Sequence, residues 1–129
     1  MKNSISWFEI PVTDLDRAQK FYENIFKTSL MAMDMGDIKM RTFPVDDIMD
    51  QNAVSGALIL AGEFNTPSGN GTMVYLNANP DLQLVLDRIV AAGGTVVVPK
   101  TLISNEIGFM GVFVDSEGNR VALHSAPQG

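Results

Sequence analysis

The sequence of 129 residues contains no cysteine, and this absence excludes several kinds of site. Disulfide bridges and thiolate nucleophiles are impossible, and a metal ion could be bound only through nitrogen and oxygen ligands. The first residues, MKNSISWFEI, lack the apolar core of a signal peptide. Because nothing in the sequence requires an oxidising compartment, we expect a cytoplasmic protein.

Clusters of basic residues and long apolar runs are also missing. Lys and Arg number 9 against 15 Asp and Glu, which gives a net charge of −6, so nucleic acid is not an expected partner. No apolar run approaches the roughly 18 residues of a membrane-spanning helix, so no membrane association is expected. Because 129 residues is close to the commonest domain size, the chain should fold as one domain over residues 1–129, and the 46% of hydrophobic residues suit a protein with a core.

The same order of predicted elements, strand–helix–strand–strand–strand, occurs twice. Module one spans residues 1–62, a linker rich in turn-forming residues spans 63–71, and module two spans 72–129. The segment VYLNANPDLQLVLDRI echoes FEIPVTDLDRAQKFY once a single inserted residue is allowed, with a period of about 66 residues. The predicted strands cover residues 5–12, 29–34, 38–45, 54–62, 72–78, 95–100, 108–115 and 120–125.

Each module is predicted to contain one helix. Thr13 or Asp14 caps the first helix, and Asn79 caps the second, with Pro80 in its first turn and Gly93-Gly94 at its end. A module of about 60 residues has a marginal core alone, so the two should associate around a cleft. We therefore predict an α+β fold in which two βαβββ modules in one chain form curved mixed sheets around a cleft.

Three segments carry a resemblance to a known family: IPVTDLDRAQKFY at 10–22, DLQLVLDRIVAAGG at 81–94 and FVDSEGNRV at 113–121. They resemble the vicinal oxygen chelate superfamily, which includes glyoxalases, bleomycin-resistance proteins and extradiol dioxygenases. The resemblance implies a glyoxalase-like fold and a homodimer whose cleft can combine two chains. It leaves the activity open, because this scaffold hosts isomerases, dioxygenases, thiol transferases and non-catalytic drug binders.

Metal-dependent members of this family take four ligands from the first and last strand of each module. The resemblance places these positions at Trp7, at Met73 or Thr72, at Ala122, and within residues 56–59. None of these residues is a histidine or a glutamate. We therefore expect neither the usual metal site nor a cofactor, while a divalent metal at a displaced site stays open.

Three titratable side chains lie two residues further along the same strands, at Glu9, Tyr75 and His124. Because residues i and i+2 of a strand point to the same face, all three should project into the cleft. His124, the only histidine, is either a catalytic or ligand-binding group or a partly buried side chain bonded to a backbone or carboxylate group. Glu9 is either a cleft group or a structural partner of Arg120, Tyr75 or His124.

The preferred function is the binding of a small organic molecule in the cleft, without the family's usual metal site. One alternative is a lyase, isomerase or dioxygenase that uses Glu9 and His124 as an acid/base pair or as ligands of a displaced metal. The acid/base version expects the two groups within about 3.2 Å of each other, directly or through one water. Another is a non-catalytic dimeric interaction protein, which predicts no sizeable cavity near Trp7. The predicted site comprises Glu9 and His124 as orienting or catalytic groups and Trp7, Met73, Tyr75 and Ala122 as its lining.

Overall fold

The computed structural model describes residues 3–47, 49–50, 52–62 and 65–127. Its order of elements is the same in both halves, which confirms the predicted α+β fold of two βαβββ modules. Module one contains β1 (Trp7–Pro11), α1 (Leu15–Phe26), β2 (Met31–Met35), β3 (Ile38–Thr42) and β4 (Ser55–Leu60). Module two contains β5 (Tyr75–Asn77), α2 (Leu82–Ala92), β6 (Thr95–Ser104), β7 (Gly108–Val114) and β8 (Arg120–Ser125).

Each module forms one four-stranded mixed sheet, and the two sheets have equivalent topologies. The strand orders are β1-β4-β3-β2 and β5-β8-β7-β6. In each sheet the first strand pairs in parallel with the last, and the remaining pairs are antiparallel. Glu9 lies opposite Ala57 in the first sheet, and Tyr75 lies opposite Ala122 in the second.

One hydrophobic core joins the two modules. The helices α1 and α2 pack against each other and against one face of their own sheets, and side chains such as Ile10, Leu76 and Leu123 point into this core. The ring centroids of Phe21 on α1 and Phe113 on β7 are 5.9 Å apart, so the core is continuous across the module boundary. Within the described ranges, no helix has the length and apolar character needed to cross a membrane.

The face of each sheet that the helices leave uncovered is called its outer face. On the outer face of the first sheet, Met40, Ala57 and Ile59 form a small buried cluster. Met31 and Met33 lie beside this cluster and remain 68% and 46% exposed. The first sheet therefore presents an apolar surface that stays accessible in the described part of the chain.

The N-terminal ends of the two helices correct one prediction. Asp14 caps α1 by accepting a hydrogen bond from the backbone N–H of Arg17. The N-cap of α2 is Asp81, so the prediction of Asn79 as cap and Pro80 in the first turn is wrong. The Asn79 side chain instead accepts a hydrogen bond from the backbone N–H of Ala126, next to the end of β8.

The C-terminal ends of the helices use equivalent positions with different residues. Gly93 ends α2, as predicted, in a left-handed conformation with φ of 109°. Lys27 holds the corresponding position after α1 with φ of 53°. A left-handed lysine is less favourable than a glycine because its Cβ crowds the backbone.

The largest differences from the predicted strand lengths lie in β5 and β6, where pairing partners, rather than local composition, set the length. β5 covers only Tyr75–Asn77, the residues that pair with β8, so Met73 lies in the segment just before the strand. β6 extends past the predicted residue 100 to Ser104. Its pairing with β7 contains register shifts that let Pro99, which cannot donate a backbone hydrogen bond, lie within an edge strand.

The turn from Asp115 to Asn119, called the joint turn, attaches module two to α1 through Glu117. The Glu117 carboxylate accepts hydrogen bonds from the backbone N–H groups of Thr13 and Asp14 at 2.9 and 3.0 Å, and from the Arg17 guanidinium at 2.6 Å. Burial of this carboxylate opposes its ionisation, but the hydrogen bonds from Arg17, Thr13 and Asp14 outweigh burial and lower the pKa of Glu117 to about 2. The charge also lies favourably at a helix N-terminus.

Asp115 and Asn119 extend the joint turn to three other parts of the chain. The Asp115 carboxylate accepts hydrogen bonds from the Tyr22 hydroxyl at 2.7 Å and from the backbone N–H of Asn119 at 2.9 Å. The Asn119 amide donates to the Pro11 carbonyl at 2.7 Å and accepts from the backbone N–H of Ser68 at 3.1 Å. The joint turn therefore holds α1, the end of β1 and the linker against the start of β8.

Candidate ligand-binding cavity

A cavity lies beside Trp7, where the joint turn brings β1, the linker and the start of β8 together. Its volume is about 560 Å³, which is within the usual range for small-molecule sites. Three predicted site residues, Trp7, Glu9 and Met73, line this cavity together with Arg120. Hydroxyl and amide groups of the linker complete the polar part of the wall.

Trp7 and Met73 supply accessible apolar surface. They occupy equivalent places in the two modules, at the start of β1 and just before β5, and they remain 40% and 37% exposed. The indole N–H of Trp7 donates to the Glu9 carboxylate over 3.3 Å. Glu9 is exposed, and its recorded structural partner is Trp7 rather than any of the three predicted partners.

Arg120 is the cation among the described residues that line this cavity, and Glu9 is the anion. Arg120 begins β8 directly after Asn119, whose amide donates to the Pro11 carbonyl, so the start of β8 is held beside the end of β1. Its guanidinium makes no hydrogen bond or ion pair with the rest of the described chain. Sequence reasoning considered Arg120 only as a partner of Glu9, although its position directly after the EGN turn could have indicated a place in the cavity.

A second cavity of about 880 Å³ adjoins the first and shares Ile5, Phe8 and Val74 with it. Tyr75 lines this second cavity and is exposed. Glu9 lines the first cavity and Tyr75 the adjoining second one, whereas both were predicted to project into one cleft. The rest of the second cavity includes the acidic loop with Asp46, Asp47 and Asp50.

His124 lies outside the lining of both cavities. The ring N–H at Nε2 donates to the Ile107 carbonyl over 2.8 Å, and the side chain is half-buried. The structural alternative, a histidine bonded to the backbone, is therefore the one that the structure shows. Glu9 bonds to Trp7 and His124 to Ile107, so the direct contact that the acid/base alternative requires is not among the hydrogen bonds of these two side chains.

The four positions that the family resemblance assigns to metal ligands carry no histidine or carboxylate in this chain. The strand registers place Ala57 in module one at the position that Ala122 has in module two. The four positions are therefore Trp7, Met73, Ala57 and Ala122. An indole, a thioether and two methyl groups offer no imidazole or carboxylate to a divalent ion. No group of three or more His, Asp or Glu side chains in the described ranges is arranged to hold a metal ion.

Comparisons with known proteins agree on the family. The sequence matches the Glyoxalase/Bleomycin resistance protein/Dioxygenase superfamily model over residues 4–123. It is 30% identical over 132 residues to a glyoxylase-like domain-containing protein from Didymella fabae, covering 98% of this chain and 97% of the relative. A solved glyoxalase/bleomycin resistance protein from Albidiferax ferrireducens T118 aligns with a TM-score of 0.70 at 17% identity, covering 97% of this chain and 100% of that chain.

A second solved structure, the fosfomycin resistance protein FosX from Listeria monocytogenes, aligns with a TM-score of 0.64 at 15% identity. The alignment covers 98% of this chain and 92% of that chain. At these identities the structural likeness shows the fold, and the match of the family model over nearly the whole sequence shows the relationship. The chain belongs to the Glyoxalase/Bleomycin resistance protein/Dioxygenase superfamily.

Proposed function

We propose that this chain binds a small organic molecule in the cavity beside Trp7, without the metal site of its metal-dependent relatives. The observation that carries the proposal is the composition of this cavity of about 560 Å³. It combines accessible apolar side chains with a few polar groups and two opposite charges, as ligand-binding cavities commonly do.

Each lining residue has a distinct role in this proposal. Trp7 offers a flat aromatic surface for stacking, and Met73 offers a flexible thioether that adapts to the ligand's shape. Glu9 and Arg120 orient the ligand through charge-assisted hydrogen bonds. Tyr75 extends the site into the adjoining cavity of about 880 Å³, where a larger ligand would reach it.

Two alternatives are less well supported. An enzyme that uses Glu9 and His124 as an acid/base pair needs the two groups within reach of one substrate, whereas each has its own partner in the chain. A protein that acts only through its surface predicts no sizeable cavity near Trp7, and a cavity of about 560 Å³ is found there.

The cellular setting completes the proposal. We propose a cytoplasmic protein that forms a homodimer and needs no cofactor for ligand binding. Its lack of cysteine suits a reducing compartment. The absence of imidazole and carboxylate groups at the family's metal positions supports binding without a metal.

The proposal can be tested with a panel of metabolites and antibiotics, using the melting temperature and the fluorescence of Trp7, the only tryptophan. A ligand at 100 times its Kd should stabilise the fold by about 2.7 kcal/mol and change the Trp7 emission. Met73→Ala should weaken this binding, whereas Leu84→Ala, at an exposed position on α2, should leave it unchanged. Ligands that raise the melting temperature equally in wild type and Met73→Ala, with Trp7 emission unchanged, would place binding elsewhere and contradict the proposal.

A further inference from the structure

Two opposite charges line the cavity beside Trp7, and the structure records no ion pair between them. We propose that the ligand is a zwitterion of amino-acid size, with its carboxylate at Arg120, its amine at Glu9 and an apolar side chain against Trp7 and Met73. This inference rests on the proposed function and names the class of ligand for the same cavity.

The joint turn fixes the relative positions of the two charges. Glu9 lies two residues before Pro11 on the same face of β1, which corresponds to about 6.6 Å along a strand. Arg120 directly follows Asn119, whose amide donates to the Pro11 carbonyl over 2.7 Å. Glu9 and Arg120 thus line one cavity together, on two strands whose ends the bond from Asn119 to Pro11 holds side by side.

Desolvation of the two charges selects the ligand. A molecule that enters the cavity removes water from both Glu9 and Arg120, and a charge left without a partner in such a place is unfavourable. A neutral ligand compensates neither charge, a simple anion is repelled by Glu9, and a simple cation is repelled by Arg120. A zwitterion compensates both, with the guanidinium able to bind the carboxylate in a bidentate manner.

The charge of the whole protein disfavours a net anion and is compatible with a zwitterion. The net charge of −6 creates a negative field that repels a net anion during its approach. A zwitterion carries no net charge and is not repelled. An apolar or aromatic side chain on the zwitterion would also use the surface that Trp7 and Met73 leave exposed.

The experiment compares L-phenylalanine with two derivatives, each of which lacks one of its two charges. L-phenylalanine carries both charges, L-phenylalaninamide lacks the carboxylate, and N-acetyl-L-phenylalanine lacks the amine. Each is titrated into the full-length protein while Trp7 fluorescence is recorded, with calorimetry as a second readout. L-phenylalanine should bind about tenfold more tightly than either derivative, because each derivative leaves one protein charge uncompensated.

Two variants assign each charge to its partner. Arg120→Gln should weaken L-phenylalanine binding about tenfold and strengthen L-phenylalaninamide binding, because the variant no longer repels the ligand's cation. Glu9→Gln should likewise weaken L-phenylalanine binding about tenfold and strengthen the binding of the anion N-acetyl-L-phenylalanine. Lys20→Gln and Glu106→Gln remove exposed charges outside the cavity lining and serve as controls, and melting temperatures verify that every variant is folded.

The outcomes separate this inference from the proposed function. Equal affinities for the three probes, or no binding of L-phenylalanine at about 10 mM, would overturn the proposal that the ligand is a zwitterion. If a panel ligand of another class then binds with a change in Trp7 emission and is weakened by Met73→Ala, the proposed function stands and only the ligand class falls. If no panel ligand behaves in this way, both the proposed function and the proposed ligand class are contradicted.

Discussion

At the scale of the residue, Glu117 is a buried carboxylate that connects the two modules by satisfying the N-terminus of α1. Glu117→Gln removes the charge and turns an amide N–H₂ group toward donors of Thr13 or Arg17. We expect a loss of about 2 kcal/mol in the free energy of unfolding, measured by urea denaturation. Glu106→Gln, at an exposed position, is the matched control and should change stability by less than about 0.5 kcal/mol. A loss no larger than that of the control would contradict this role for Glu117.

The lowered pKa of Glu117 also predicts how stability depends on pH. The ordinary value is 4.5 and the folded value is about 2, so the folded protein favours the ionised form. This contribution is fully present above pH 4.5 and is lost as the pH falls toward 2, because the unfolded chain takes up the proton first. Denaturation measured from pH 6 to pH 2 should show that the free energy of unfolding of the wild type declines as the pH falls. The decline should be shallower in Glu117→Gln. Parallel curves would show that other groups cause the acid sensitivity.

Tyr22 provides a second test of the joint turn. Its hydroxyl donates to the buried Asp115 carboxylate over 2.7 Å, and burial together with the charge of Asp115 raises the pKa of Tyr22 well above its usual value. Tyr22→Phe should lower the free energy of unfolding by roughly 1–2 kcal/mol, because Asp115 loses a charge-assisted hydrogen bond. Tyr75→Phe, which alters the only other tyrosine at an exposed site, should be close to neutral in chemical denaturation. Similar losses in both variants would argue against the role of the Asp115 bond.

Sequence reasoning located part of the site because strand alternation is a local property. Trp7 and Glu9 alternate with buried neighbours on β1, and this pattern placed both toward the cavity. It could not identify Ile107 as the partner of His124, because that carbonyl belongs to the turn between β6 and β7. The place of Arg120 in the cavity likewise depends on the bond from Asn119 to Pro11, which joins residues 108 positions apart.

At the scale of the element, the two helix ends offer an internal comparison. Lys27 and Gly93 hold equivalent left-handed positions, and a Cβ at Gly93 would meet no atom within 4 Å, so only the backbone conformation matters there. Lys27→Gly should raise the free energy of unfolding by about 0.5 kcal/mol, and Gly93→Ala should lower it by roughly 1 kcal/mol. Thermal and urea unfolding of the two variants would measure both changes. A lower free energy of unfolding in Lys27→Gly would mean that contacts of the Lys27 side chain, rather than its backbone conformation, stabilise the end of α1.

The order of elements followed from the sequence, whereas their ends depended on tertiary contacts. Asn79 and Asp81 are both good capping residues, and the choice between them was decided by contacts far along the chain, since Asn79 bonds to Ala126. The apolar run at 72–78 suits a strand throughout, yet only Tyr75–Asn77 pair with β8. Local propensity therefore predicts which elements exist, while tertiary contacts, such as pairing with a neighbouring strand, decide how many residues join each element.

At the scale of the whole molecule, the apolar outer face of the first sheet supports the proposed homodimer. Met31 and Met33 are exposed beside the buried cluster around Met40, and an apolar patch of this kind commonly marks an interface. We expect light scattering coupled to size exclusion to give twice the chain mass of 14.0 kDa, and Met33→Lys to shift the protein toward monomer. Leu84→Lys, on the exposed side of α2, should leave the mass unchanged. A monomeric wild type, or a Met33→Lys variant that remains dimeric, would contradict this interface.

The joint turn has a consequence for how the chain is made. Thr13 lies 104 residues before the carboxylate that accepts its backbone N–H, so α1 emerges from the ribosome long before Glu117 exists. At roughly 5–20 residues per second, the first helix waits about 5–20 seconds for its acceptor. The N-terminus of α1 therefore lacks this acceptor until the joint turn has been made. A segment synthesised 104 residues later completes the start of the first helix.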